Sequence, residues 1–474
     1  MTLDADGIKY RDVFDNFSVL DYRYWMEKLV PYLSGNAYTS YLLQVEQAIV
    51  KKQAQYGMCE QSVVDEVEEA VKHVRSARVE IREKETRHDI IALVVEIQEL
   101  VSPEAKPYIH RFATSYDIID TARAMMYRDL VNEVLVPQIK QFMRVLIELA
   151  REEAATPQMG RTHLQHAIPI TYGFSVASTI ARLGDCLESL QYLVTKLRGK
   201  FSGPVGAYNS QALLLKRRKL DITPKQMEVE VLDSVGVKPG LHSRQIVMPE
   251  PVERVLNELV LISGAVANLA QDCRILQMTE VGEVAEDFEE GQMGSSAMSF
   301  KRNPIGHEGT LSLNKIVGPR ILTVILDLIS DLQRDLSNSA SSRTYFEMVA
   351  YVAFMLDRMT RIMSKIHVDR ERMLENMKLS YGVYAAEPLR SLLADMGIMS
   401  YAAAYKLTQR ISMYCTSNKV RFQDAMMIEP EVVACLEQLS DEIRDMLLYE
   451  TAYTGESEQS TLDVCEYWEP LVAA

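Results

Sequence analysis

Residues 118–154 read IIDTARAMMYRDLVNEVLVPQIKQFMRVLIELAREEA. Apolar side chains return every three or four positions, the spacing of one helix face. The pattern runs from about 116 to 155, with Pro137 expected to kink it. Comparable long patterns cover about 170–200, 250–281, 307–333 and 345–368. Helices of roughly 30 residues are about 45 Å long at 1.5 Å per residue. Such helices pack as bundles, often with partner subunits covering the remaining apolar stripes. Shorter helical patterns lie at 39–57 and 61–80, and more follow in the C-terminal part. Residues 1–38 read as irregular, and 201–249 as a long irregular stretch able to hold short elements. No strand-type alternation and no fixed-period repeat is visible. The expected class is all-α, with a helical domain over 1–112, a central long-helix domain over 113–364 and a C-terminal helical domain over 365–474.

The 474 residues exceed one compact core. A hydrophobic share of 47% and a charged share of 25% suit a folded soluble protein. The net charge of −15 argues against a nucleic-acid partner but leaves room for local cationic pockets. The six cysteines are scattered with no CxxC, as in reduced, mostly buried thiols of a cytoplasmic protein. The N-terminal residues lack the apolar core of a signal peptide, and no run approaches about 18 apolar residues, so no membrane span is expected. The 24 methionines read as core filler.

Four polar breaks separate the helical patterns: 85–89, 110–121, 156–171 and 291–308. Loops held by a rigid scaffold carry functional residues disproportionately. In 291–308, Gly294, Ser295 and Ser296 sit close to Lys301, Arg302 and Asn303, which suits either an anionic substrate or a surface connection. The acids just upstream, Glu280, Glu283, Glu286, Asp287, Glu289 and Glu290, read as a solvated face. His163, between Arg161, Thr162 and Gln165, suits acid–base work or a structural hydrogen bond. No carboxylate completes a metal set with His163 and His166, so no metal is expected. Arg87, His88 and Asp89 suit an anion site or a helix start, with Glu83, Glu85 and Asp89 placed for the helix dipole. Thr114 and Ser115 suit a carboxylate site or plain capping, with Ser115 and Asp117 as candidate caps. Arg334, Ser339 and Arg343 suit a phosphate clamp or a solvated helix end.

Together these breaks resemble the fumarase/aspartase superfamily. Gly294 to Pro304 is similar to its GSSxMPxKxNP loop, Thr114 to Ala122 to its TSxDxxDTA region, and 160–173 to its GRTHxxHAxPxTxG region. ETRHD at 85–89, RDLSNS at 334–339, YTG at 453–455 and the Arg23–Tyr24 pair resemble the adenylosuccinate branch. The resemblance spans about residues 18–460. It implies an all-α homotetramer with a central twenty-helix core and active sites shared between subunits. The implied reaction is β-elimination of fumarate from an N-succinyl nucleotide, with neither metal nor organic cofactor. Ser295 would be the general base, with Lys301 stabilising it. His163 would be the general acid, Glu308 its orienting carboxylate, and His88 and Asp89 orienting groups. Thr114, Ser115, Lys301 and Asn303 would hold carboxylates, and Gln245 would contact substrate. Arg23, Tyr24, Arg334, Ser339 and Arg343 would hold the nucleotide, with Arg87 beside them. Ser299 replaces the motif proline, Ile246–Val247–Met248–Pro249–Glu250 replaces the usual continuation after Gln245, and Ser342 replaces a glutamate. Carboxymuconate-type cycloisomerases share much of the 160–171 pattern, and a non-catalytic paralogue would keep the same fold.

Overall fold

The computed structural model describes residues 2–3, 9–10, 20, 23–288, 298 and 301–473. In chain order the helices are α1 (Val30–Leu33), α2 (Gly35–Gln55), α3 (Gln61–His73), α4 (Ser76–Thr86), α5 (Asp89–Glu99), α6 (Ser115–Leu130), α7 (Val136–Glu152), α8 (Tyr172–Val194), α9 (Asn209–Arg218), α10 (Pro224–Asp233), α11 (Glu250–Leu276), α12 (Ile305–Leu326) and α13 (Tyr345–Met363). The C-terminal part adds α14 (Arg370–Lys378), α15 (Ala386–Asp395), α16 (Tyr401–Asn418), α17 (Phe422–Met426), α18 (Pro430–Glu437), α19 (Asp441–Leu448) and α20 (Ser457–Ala473). Strands are short and paired in twos: β1 (Thr2–Leu3) with β2 (Lys9–Tyr10), β3 (Pro157–Thr162) with β4 (Gln165–Thr171), β5 (Arg198–Gly199) with β6 (Lys238–Pro239), and β7 (Val284–Ala285) with β8 (His367–Val368). The chain forms two compact units, one of residues 1–139, 186–264 and 313–355, the other of 140–185, 265–312 and 356–474.

In the first unit α2 packs on α6, burying Val45 and Ile49 together with Ile118 and Met125, and Tyr41 Oη donates to Asp129 Oδ2 at 3.0 Å. α4 packs on α5, where Arg78 Nε donates to the buried Glu96 at 2.8 Å. The pattern at 61–80 is two helices, because Val74 and Arg75 take extended backbone. Glu83 and Glu85 do not start a helix: they lie near the end of α4, which stops at Arg87 with φ 52°. Only Asp89 stands in the first turn of α5. The disturbance expected at Pro137 takes the form of a π turn over Val131–Leu135, in which Val136 N–H reaches back to the Val131 carbonyl. Proline has no N–H to give, and the wider turn precedes it.

In the second unit, residues 156–171 are more than a polar break. They form the β3–β4 hairpin, in register from Pro157↔Thr171 to Thr162↔Gln165, with an irregularity between Met159 and Arg161. Gly160 permits that pairing, since a Cβ there would collide with the Ile168 carbonyl oxygen. α14 packs on β3 and α20 on β4. α20 is fixed by Arg151, whose Nη1 and Nη2 donate to Glu469 at 2.6 and 2.8 Å, and by Trp468, which seats on Gly184. Farther along, Leu389, Leu393, Ile411, Phe422 and Met426 form a separate apolar core.

α11 is long and apolar enough by composition to cross a membrane. Its Val255, Leu256, Leu259, Ile262 and Val266 are fully buried in the protein, as in a core helix. Many methionines, Met125, Met143, Met355 and Met359 among them, are also buried. The six cysteines are free thiols, four of them buried.

Candidate active site

Two of the polar breaks, 85–89 and 110–121, and the 334–343 segment supply one cavity of about 470 Å³ in the first unit. Arg87, His88 and Asp89 enter it from the α4–α5 turn, and Ser115 from the start of α6. Arg334, Ser339 and Arg343 enter it from the turns after α12 rather than from a helix end, because α12 stops at Leu326. His88 caps α5: its Nδ1 accepts Ile91 N–H at 3.5 Å, and its Nε2 stands 3.4 Å from Ser115 Oγ. Arg334 is clamped, with its guanidinium 3.4 Å from the centre of the Tyr116 ring and Nη1 3.3 Å from Gln245 Oε1. Arg23 and Tyr24 are not among the lining residues. The Tyr24 ring packs edge-on against Phe354, with centroids 5.0 Å apart.

A buried carboxylate fixes the start of α6. Asp117 Oδ2 accepts the Thr114 N–H at 2.7 Å, so Thr114 is the cap position and Ser115 the first helical residue. Asp117 Oδ1 accepts from the Lys200 ammonium and from Ser202 N–H at 2.9 Å. The Lys200 ammonium also donates to the Gly203 carbonyl at 3.2 Å. One side chain thus ties α6 to the 198–203 segment and sets the backbone beside Ser115.

A second cavity of about 90 Å³ shares Tyr116 and Arg123 with the first. Ile246, Val247, Pro249 and Ser342, positions at which the chain departs from the motif, line it together with Asp120. Burial pushes the Asp120 carboxyl up to about 6, against the help of a Val247 N–H at 2.9 Å. A raised folded value means that the native state binds the proton more tightly than the unfolded chain, so stability declines as pH climbs from an unfolded value of about 3.9 to the folded one. Asp120→Asn should therefore raise stability at about pH 8 by up to roughly 3 kcal/mol and flatten the decline from about pH 5. Denaturant titrations at both pH values check this; a wild-type slope retained in the variant would refute it.

The second unit carries the other candidates. His163 and Leu164 form the two-residue turn of the β3–β4 hairpin, with φ of 53° and 60°. This is the left-handed pair of a type I′ turn, and it leaves His163 exposed at the tip. The hairpin base is anchored by Glu283, which is fully buried and accepts from the Arg161 guanidinium, from Gln158 Nε2 at 2.9 Å and from Asn376 Nδ2 at 2.8 Å. Glu286 is partly buried as well, and accepts Gly306 N–H at 3.0 Å and His307 N–H at 2.7 Å at the start of α12. The acidic run is thus no uniform solvated face. Glu283 is held inside by donors, and Glu286 by the unpaired N–H groups of a helix end. Burial pulls His307 down to about 4. Glu308 is exposed in the first turn of α12. Lys301 is exposed, its N–H 3.2 Å from the Met298 carbonyl, and the Asn303 carbonyl accepts Ile305 N–H at 2.9 Å. Ser295, Ser296 and Ser299 lie outside the described residues. Among the described residues no group of three or more His, Cys, Asp or Glu side chains is placed to hold a metal ion.

Tyr38, Tyr116 and Arg123 also line the large cavity, and sequence reading passed over them. The available signal was spacing: Ser115, Ile119 and Arg123 recur every four residues on α6.

Comparison with known proteins places this geometry. A family model described as Lyase matches residues 8–318, and one described as Adenylosuccinate lyase C-terminal matches 330–443. The adenylosuccinate lyase of Aquifex aeolicus is 32% identical over 398 residues, 83% of this chain and 88% of that protein. That of Pyrococcus horikoshii is 30% identical over 458 residues, 95% of this chain and 98% of that one. Among solved structures, the 3-carboxy-cis,cis-muconate lactonizing enzyme of Pseudomonas putida superposes with a TM-score of 0.84 at 23% identity, covering 96% of this chain and all of that one. A fumarate lyase from Mesorhizobium sp. BNC1 gives 0.81 at 24% identity, with 94% and 98% covered, so the fold is shared at low identity. The chain belongs to the adenylosuccinate lyase family of the fumarase/aspartase superfamily.

Proposed function

We propose that this protein is a carbon–nitrogen lyase that eliminates fumarate from adenylosuccinate, leaving AMP, and likewise from the succinyl-carboxamide imidazole ribotide of purine synthesis. The observation that carries the reading is the 470 Å³ cavity in which Arg334, Ser339 and Arg343 face Ser115 and His88, a donor set for a substrate anionic at both ends. Ser295 takes the proton beta to the leaving nitrogen, and His163 protonates that nitrogen, oriented by Glu308. The electron pair left by the proton flows toward the neighbouring carboxylate, so donors are needed there as charge develops. Thr114, Ser115, Lys301 and Asn303 supply them. His88 and Asp89 orient the substrate, Gln245 contacts it, and Arg23, Tyr24 and Arg87 serve the nucleotide side. The chemistry is proton transfer and charge stabilisation, which side chains can supply without a cofactor.

The working form in this reading is a cytoplasmic homotetramer with shared active sites. Leu322, Ile325 and Leu326 support it, since an exposed apolar row on a helix is the kind of surface a partner subunit covers. The exposed hairpin tip bearing His163 supports it too.

Mixing the purified protein with adenylosuccinate should remove the N-succinyl chromophore, followed by ultraviolet absorbance. No turnover, where an active control goes to completion, would overturn the reading, as would turnover of a carboxymuconate alone.

A further inference from the structure

Arg123 brings another guanidinium to the cavity lined by Arg334, Ser339 and Arg343. It stands on the same α6 face as Ser115, two helical turns on. Among the described residues its side chain makes no hydrogen bond or ion pair; the groups that act on its charge are Tyr38, Asp120, Tyr116 and Tyr127. Three of these are phenols, and Asp120, the one acid, makes no hydrogen bond or ion pair to Arg123 among the described residues. Burial keeps the Tyr38 hydroxyl neutral by pushing it up to about 12, and burial pushes Asp120 up to about 6 while Val247 N–H occupies its Oδ2. Arg123, Arg343 and Tyr38 line the same cavity, and Arg123 stands two turns along α6 from its Ser115 end. A half-buried guanidinium has five N–H donors, and among the described residues they meet no hydrogen-bond acceptor. A phosphomonoester, with three terminal oxygens and up to two negative charges, satisfies several such donors at once, more than a carboxylate can.

We propose that Arg123 is a further arginine of the phosphate end of the substrate site, acting with Arg343 and Arg334, which line the same cavity, on a phosphomonoester. This rests on the assignment of Arg334, Ser339 and Arg343 to the phosphate in the proposed function. It makes Arg123 a specificity residue, separating nucleotides from nucleosides.

Calorimetric titration of the full chain with AMP, adenosine and fumarate tests it. In Arg123→Gln, AMP affinity should fall at least about tenfold, as expected for lost hydrogen bonds to a charged group. Adenosine and fumarate affinities should stay within about twofold, and Arg123→Lys should lie between wild type and Arg123→Gln for AMP, because it keeps charge but loses the fork. Unchanged AMP affinity, an equal loss for adenosine, or a loss for fumarate alone would overturn the proposal. Should Arg123→Gln melt early by circular dichroism, Arg123→Lys carries the comparison with the same criteria. A wild type that binds AMP but does not turn over adenylosuccinate would sink the reaction while leaving the AMP-to-adenosine ratio to decide the role of Arg123.

Discussion

Replacing Asp117 by alanine should destabilise the protein by about 3–5 kcal/mol, the cost of leaving a buried charge without its partner. Asp117 and Lys200 are both essentially inaccessible to water. The carboxylate meets the Lys200 ammonium and the N–H groups of Thr114, Ser202 and Gly203, so its loss orphans several donors at once. Among the described residues Lys200 then retains only the Gly203 carbonyl as acceptor. The double variant Asp117→Ala/Lys200→Met should be less destabilised than Asp117→Ala, because removing both charges removes the uncompensated one. Denaturant unfolding with both variants measures this; a single variant within about 1 kcal/mol of wild type would show that the pair is relaxed or solvated. Because Asp117 also sets the turn before Ser115, fumarate inhibition should weaken in the same variant.

That tether was only partly readable beforehand. Asp117 reads as a capping residue from its neighbours, but Lys200 lies 83 positions away, and nothing local announces the pair. The long helices were legible because helical periodicity is a local property, and α6, α7, α8, α11, α12 and α13 cover the stretches that apolar spacing marked, although α8, α11, α12 and α13 each end several residues short of the expected bound. The β3–β4 hairpin was not. Its strand β3 buries Gln158, Met159 and Gly160 in succession, so inward and outward residues do not alternate. Glu283 looked solvated because its partner Arg161 is 122 positions distant. At the site, Arg87, His88 and Ser115 were readable as polar breaks and Arg334, Ser339 and Arg343 as a polar helix end, and the fold gathers them on one cavity. Arg123 was hidden for the opposite reason. An arginine flanked by apolar residues of α6 looks like a residue on the solvent side until the fold sets it on the cavity that Tyr38 and Arg343 also line.

Substituting His163 by asparagine should separate the chemistry of the hairpin tip from its structure. The turn needs left-handed backbone at both positions, with φ of 53° at His163 and 60° at Leu164. Asparagine is among the residues that adopt this conformation most readily, and it leads the first position of type I′ turns. His163→Asn should therefore hold or slightly raise the melting temperature, whereas His163→Ala removes the imidazole and leaves a turn less suited to its backbone. Catalysis should respond in the opposite sense. Asparagine has no proton to deliver near neutral pH, so kcat should fall at least about 10²-fold, the usual scale for a lost general acid. Adding Leu164→Gly, which completes an Asn-Gly turn, should stabilise the hairpin further without restoring activity. The decisive readout is the leaving group: a substrate whose departing nitrogen is less basic needs the acid less, so the defect in His163→Asn should shrink with it. A near-normal kcat in His163→Asn would remove the residue from the acid role, and an equal defect for both leaving groups would mean that the hairpin tip positions the substrate instead of protonating it.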